Sequence, residues 1–176
     1  MKLELIGRPD DSEFPPYAKI YVDLVTSPDI FSALAAQINS TLAMLEPIAD
    51  GFASTRAYAP GKWTIKQVVG HVIDTERIFS YRSLCIARNE QAPLPGYEQD
   101  DYVQFGGANE RLWAEILDEL RIVRRSTMAL FGGMPREAWL RRGTANQASV
   151  TVRGLAYLIA GHELHHARVL RERYLG

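Results

Sequence analysis

Three of the four histidines of this 176-residue chain crowd into Gly161-His162-Glu163-Leu164-His165-His166. In a helix, at about 100° per residue, His162 and His166 stand one turn apart and only about 40° around the axis. Their face also carries Leu155, Leu158, Ile159 and Val169, so both imidazoles point inward. Buried neutral imidazoles need partners for their ring nitrogens, and one metal ion can serve both. His71 lies in an earlier helical stretch and shares a face with Val68, Val72, Thr75, Ile78 and Phe79. If those two helices are neighbours, His71, His162 and His166 meet at one point. Three neutral nitrogens with positions left over describe a catalytic rather than a closed structural metal site. The ion expected is a single divalent metal, zinc first, with nickel or iron also acceptable to imidazole.

The string His162-Glu163-Leu164-His165-His166 formally matches H-E-x-x-H, the helix of zinc proteases. Such a protease needs a third ligand downstream, and this chain offers none. Val169 stands where a turn glycine is required and Glu172 where the later ligand would be. The third ligand must come from upstream. Glu163 and His165 flank the ligand face on opposite sides. Glu163 is a candidate base, or a carboxylate behind the ligands, with an ion pair to Arg168 as the plain alternative. Asp74, one turn after His71, is a candidate to orient an imidazole or contact the metal. Its alternative is pairing with Arg77 three residues on. Cys85 lies about 21 Å beyond His71 along the same helix, out of reach of the site, and reads as a small core residue.

Positioning these residues takes four helices. Ser27-Pro28-Asp29 reads as a helix start with a capping serine, followed by Phe31, Leu34, Ile38, Leu42 and Leu45 at helical spacing, closed by Pro47 and Asp50-Gly51. Thr64-Ile65-Lys66-Gln67 is a capping box with Trp63 able to staple onto Val68, opening a helix that runs to about Arg88. A loop rich in turn formers spans residues 89–107, longer than the usual connection and therefore a candidate functional loop. Asn109 is placed as the cap of a third helix with the stripe Leu112, Ile116, Leu120, Val123 and Leu130, ending at Gly132-Gly133. Residues 135–139 predict a short helical turn, and Ser149 or Thr151 opens the last helix. Val150-Thr151-Val152 is the only β-like fragment and is too short to count. The pattern predicts an all-α four-helix bundle over residues 28–176. Residues 1–27, with Pro9, Pro15 and Pro16, form an irregular N-terminal lead-in that packs on it through Phe14, Tyr17, Ile20 and Tyr21.

Composition narrows the function classes. A formal net charge of −1 with a sequence pI near 6.4 gives no footprint for nucleic acid. Arg121, Arg124 and Arg125 are assigned to the solvated face of their helix. One cysteine allows no internal disulfide. Residues 1–7 are too short and charged for a signal peptide, and no apolar run approaches a membrane span. The expectation is a cytoplasmic protein with no membrane partner.

Two stretches resemble a known family. Lys62-Trp63-Thr64-Ile65-Lys66-Gln67-Val68-Val69-Gly70-His71-Val72-Ile73-Asp74-Thr75-Glu76-Arg77 is similar to the second-helix signature of the DinB/YfiT-like superfamily, and Gly161 to His166 to its closing motif. Pro93-Leu94-Pro95-Gly96-Tyr97 with Asp100-Asp101 resembles its connecting loop. The resemblance implies an up-down-down-up bundle, His71, His162 and His166 as ligands of a divalent ion, and a homodimer. Leu164, opposite the ligand face, adds a weak hint of an interface. The activities it implies are mixed: thiol transfer with bacillithiol or mycothiol, a thiol-assisted isomerisation, or a probable hydrolase. The leading expectation is a metal-dependent transferase that moves a low-molecular-weight thiol onto a small-molecule electrophile, with Arg77 or Arg82 meeting an anionic cosubstrate. A hydrolase, or a non-enzymatic metal-binding stress protein, is the alternative.

Overall fold

The computed structural model describes residues 6–176; most of the segment read above for a signal peptide lies outside them. The irregular segment ahead of the bundle carries short turns. Asp10 and Glu13 form a reciprocal capping box around the turn Asp11–Glu13, and Pro16–Ala18 winds directly into the short helix α1 (Lys19–Val22). The lead-in is thus irregular apart from these short turns, which the pre-set proline angles help to start.

The first long helix, α2 (Ile30–Leu45), is capped by Asp29, whose carboxylate accepts from the Ser32 amide at 2.9 Å. Ser27 donates its hydroxyl to the Asp29 carbonyl instead, so the cap lies two residues later than expected. Asp50-Gly51 does not merely close this segment but opens the short helix α3 (Asp50–Thr55). The capping box at Thr64 and Gln67 starts α4 (Ile65–Ala87) as the sequence predicts. The loop that follows contains α5 (Gln99–Phe105). The third long helix, α6 (Trp113–Gly132), begins after Leu112, not at Asn109; Asn109 accepts the Thr64 hydroxyl at 2.7 Å, and Leu112 points to solvent. The last, α7 (Val152–Val169), is capped by the Thr151 hydroxyl, and its final turn, Leu170–Leu175, widens to π-type spacing. None of these helices is long and apolar enough to cross a membrane.

The β-like fragment does count. Strands β1 (Arg142–Ala145) and β2 (Ala148–Thr151) form an antiparallel hairpin around Asn146 and Gln147. Both turn residues have positive φ, as a two-residue hairpin of this hand requires.

Side-chain pairings give the direction of every long helix. Gln37 donates to the Ala160 carbonyl and Thr41 to Glu163, so α2 and α7 run parallel. Arg124 binds Glu76, and Ser80 pairs with Thr127, so α4 and α6 run parallel too. Arg124 reaches the Leu34 carbonyl while Trp113 reaches that of Leu45, so α2 and α6 are antiparallel. The order is therefore up-down-down-up, and it makes α4 and α7 antiparallel neighbours.

Two glycines bind the N-terminal segment to this frame. A Cβ on Gly161 would collide with the backbone carbonyl of Tyr21, and one on Gly154 with that of Glu13. The segment therefore lies directly on α7. Gly161→Ala is expected to cost at least about 2 kcal/mol through overpacking, seen as a lower urea midpoint. Gly51→Ala, where a Cβ meets nothing, should be neutral or slightly stabilising in the same measurement.

Candidate metal centre

His71 projects from the second turn of α4 and His162 and His166 from the C-terminal half of α7, which the antiparallel pairing brings level. The Nε2 atoms of His71 and His166 each lie 3.1 Å from Nε2 of His162. All three ligand atoms fall within 4.8 Å of one another. An imidazole nitrogen carries either one in-plane hydrogen or one lone pair, so His162 Nε2 cannot satisfy both neighbours by hydrogen bonding. Two nitrogens each about 2.05 Å from one ion sit about 2.9–3.4 Å apart at bond angles of 90–110°. The observed spacing falls in that range, so the donor set fits a divalent cation. Trp63 packs against the His71 ring at 4.9 Å between centroids, and Tyr21 against His162 and His165.

Burial favours the neutral, ligating form of each ring. It lowers His71 to about 4 against the opposing charge of Asp100. His166 falls to about 3 through burial and the neighbouring His71 and His165. His162 is held well below its ordinary value by burial and then by the other imidazoles. An unfolded imidazole takes its proton near pH 6.5, whereas the folded His71 resists to about 4. Folding stability of the metal-free chain is therefore complete above about pH 6.5 and declines as the pH falls from there toward 4, by up to about 1.4 kcal/mol per pH unit for each imidazole. Urea midpoints at pH 6.5, 5.5 and 4.5 should fall in that order; a constant midpoint would contradict the burial of the triad.

Two clefts open onto the triad from different sides. One, of about 300 Å³, is lined by Tyr17, Tyr21, Phe79, Arg82 and Tyr97 and reaches His162. It continues inward over Val150, Leu155 and Leu158. The other, of about 460 Å³, is lined by Tyr58, Lys62, Trp63, Asp100 and His165 and reaches His166. Gln99, at the start of α5, borders both.

The remaining sequence candidates separate. Arg82 is buried, lines the first cleft, and donates to the Pro95 carbonyl at 2.6 Å, holding the loop over the site. Arg77 pairs with Glu119 at 2.6 Å and with Asp74 at 3.8 Å, and it lines neither cleft. Asp74 therefore takes its alternative partner. It borders a small crevice behind His71, and burial raises its pKa against the charge of Arg77. Glu163 leaves the site altogether: it accepts from Thr41 at 2.6 Å and from Arg124 at 2.6 Å, buried within the bundle. Arg168, its expected partner, is exposed. Arg124 is not solvated as expected but 1% exposed, clamped bidentately by Glu76 and singly by Glu163. Leu164, expected to face solvent, is half-buried against the core, and its hint of an interface lapses.

A family model fits this arrangement: that of the DinB superfamily matches residues 29–170. The chain is a member of the DinB superfamily. Among solved structures it resembles YfiT from Bacillus subtilis, described as a probable metal-dependent hydrolase with an unusual four-helix bundle topology. The TM-score is 0.69 at 17% identity, covering 93% of this chain and 89% of that one, a likeness that carries the fold alone. Among curated proteins none matches the chain.

In this DinB protein the residues that sequence reasoning missed are the walls: Tyr97, Thr75, Tyr58, Lys62 and Gln99. The Thr75 and Tyr97 hydroxyls pair at 2.7 Å, tying the loop to α4 one turn past His71. Thr75 sits on the His71 face in the sequence pattern, which was the available signal; Gln99 had none.

Proposed function

We propose that the chain is a metal-dependent enzyme that transfers a low-molecular-weight thiol to a small electrophile, using one divalent ion held by His71, His162 and His166. The observation that carries this reading is the pair of clefts meeting at one triad: a transferase brings together two organic reactants, whereas a hydrolase needs room for one and a water. When bound, the ion supplies Lewis acidity that lowers the pKa of a thiol. The chain's own residues do the rest. The neutral imidazoles leave coordination positions open, the aromatic walls shed water, and Gln99 stands between the reactants. Net transfer forms a C–S bond and breaks the bond from carbon to its leaving group, and the thiol proton passes to that group or to solvent. Glu163 takes no part, because Arg124 and Thr41 occupy it. Glu163 therefore supplies no general acid for an amide leaving group.

Metal-loaded protein incubated with bacillithiol, and separately with other small thiols, plus a chlorinated aromatic or an epoxide should yield conjugates by mass spectrometry. No conjugate above the His71→Ala background across these thiols would sink the proposal. Ester or amide turnover without thiol would instead support hydrolysis, the activity that the description of YfiT favours. We also propose a homodimer on family grounds; a monomeric mass by solution scattering at micromolar concentration would refute it.

A further inference from the structure

We infer that the cleft at His162 is a binding site for a small aryl monocarboxylate, its anion on Arg82 and its ring between Phe79 and the tyrosines. That this ligand is one of the two reactants rests on the function proposed above; that it binds does not.

The argument starts from an unbalanced charge. Three basic side chains among the described residues are buried: Lys66, Arg82 and Arg124. Lys66 has Asp50 at 3.1 Å, and Arg124 has Glu76 and Glu163. Arg82, 6% exposed, has no carboxylate of the described residues within ion-pair distance. A buried charge without a counter-charge is costly, and the cost is recovered when an anion arrives. Among the described residues its guanidinium makes one hydrogen bond to protein oxygen, from Nη2 to Pro95, and its carbon lies 5.5 Å from the centre of the Phe79 ring. The fork of a guanidinium matches the two oxygens of a carboxylate.

The surroundings restrict the rest of the ligand. Tyr17, Tyr21 and Tyr97 join Phe79 around the cation, and the inner end is apolar, formed by Val150, Leu155 and Leu158. A flat, apolar body is accepted there. Glu98 borders the outer part of the same cleft, so a second negative charge on the ligand meets a like charge. One carboxylate on a ring satisfies all three constraints, and a polar dicarboxylate, such as the acid end of a thiol cosubstrate, satisfies only the first.

Calorimetry or amide chemical-shift titration of the chain with benzoate, benzyl alcohol and malate tests this. It is run on metal-loaded and metal-free protein so that direct coordination of the carboxylate is separated from binding at Arg82. Benzoate is expected to bind both forms, at least about tenfold tighter than benzyl alcohol or malate. Arg82→Gln should remove that preference while Tyr58→Phe, in the other cleft, leaves it intact. Because Arg82 also holds the loop, the comparison of ligands on the unaltered chain decides if the variant fails to fold. Equal affinity for benzoate and benzyl alcohol would overturn the inference, as would malate binding as tightly as benzoate, or loss of benzoate binding without metal. Benzoate binding without any conjugate formation would leave this site standing and remove only the thiol-transfer reading.

Discussion

His162→Ala is expected to end stoichiometric metal binding, weakening affinity for zinc or nickel by more than about 100-fold. Its Nε2 is the one atom that lies 3.1 Å from both of the other ligand nitrogens, so its loss leaves two imidazoles without the atom that joins them. Loss of a group merely supporting a ligand costs about 10–100-fold, and loss of a ligand should exceed that. The thermal signature is also large. At metal concentrations about a thousandfold above the dissociation constant, binding adds about 4 kcal/mol to folding stability. For a chain of this size that amounts to a rise in Tm of roughly 8–16 °C. The variant should show no metal-dependent rise, while His165→Ala, beside the triad, should keep most of it. Metal analysis after desalting and paired melting curves with and without chelator check both. A full equivalent of metal retained by the variant would remove the triad as the site.

Arg124→Met is expected to cost about 3–5 kcal/mol, enough to unfold much of the chain at growth temperature. The substitution keeps a long side chain but strips the counter-charge from two buried carboxylates, Glu76 and Glu163, and removes the second donor to the Leu34 carbonyl. Replacing all three charged residues with apolar ones of similar length should recover most of the loss, because a buried charge network often contributes little beyond apolar packing. Urea unfolding of the single and triple variants separates the two terms. A single variant as stable as the parent would mean that the three charges are not desolvated together.

The way these residues failed to announce themselves is instructive. Arg124 follows Leu120 by one turn and precedes Thr127 and Phe131 on the same stripe, all four buried. Its position on the helix was legible; what overrode it was the general rule that arginine is exposed. Only the two glutamates on other helices reverse that rule, and their meeting is a tertiary fact. The same holds for Glu163, whose neighbour His162 faces the site while it faces Arg124. By contrast, the His162 and His166 pair and the Thr64 capping box depend on spacing within single helices, and both stand where that spacing puts them; His71 joins the pair because α4 and α7 are neighbours. The hairpin was missed because its turn, Asn146-Gln147, has positive φ at both residues but no glycine to mark it. The cap of α2 shifted from Ser27 to Asp29 because both residues are good caps, and only the backbone decides between them.

Gly161 and Gly154 carry a consequence for how such a protein can diversify. They let a strap of chain that precedes residue 29, where the family match begins, lie flush on α7 and supply Tyr17 and Tyr21 to the cleft. The triad and one wall of the cleft come from the bundle helices and the loop after α4; the other wall comes from the strap. Substitutions in the strap can therefore reshape that wall while the helices that carry the triad stay as they are.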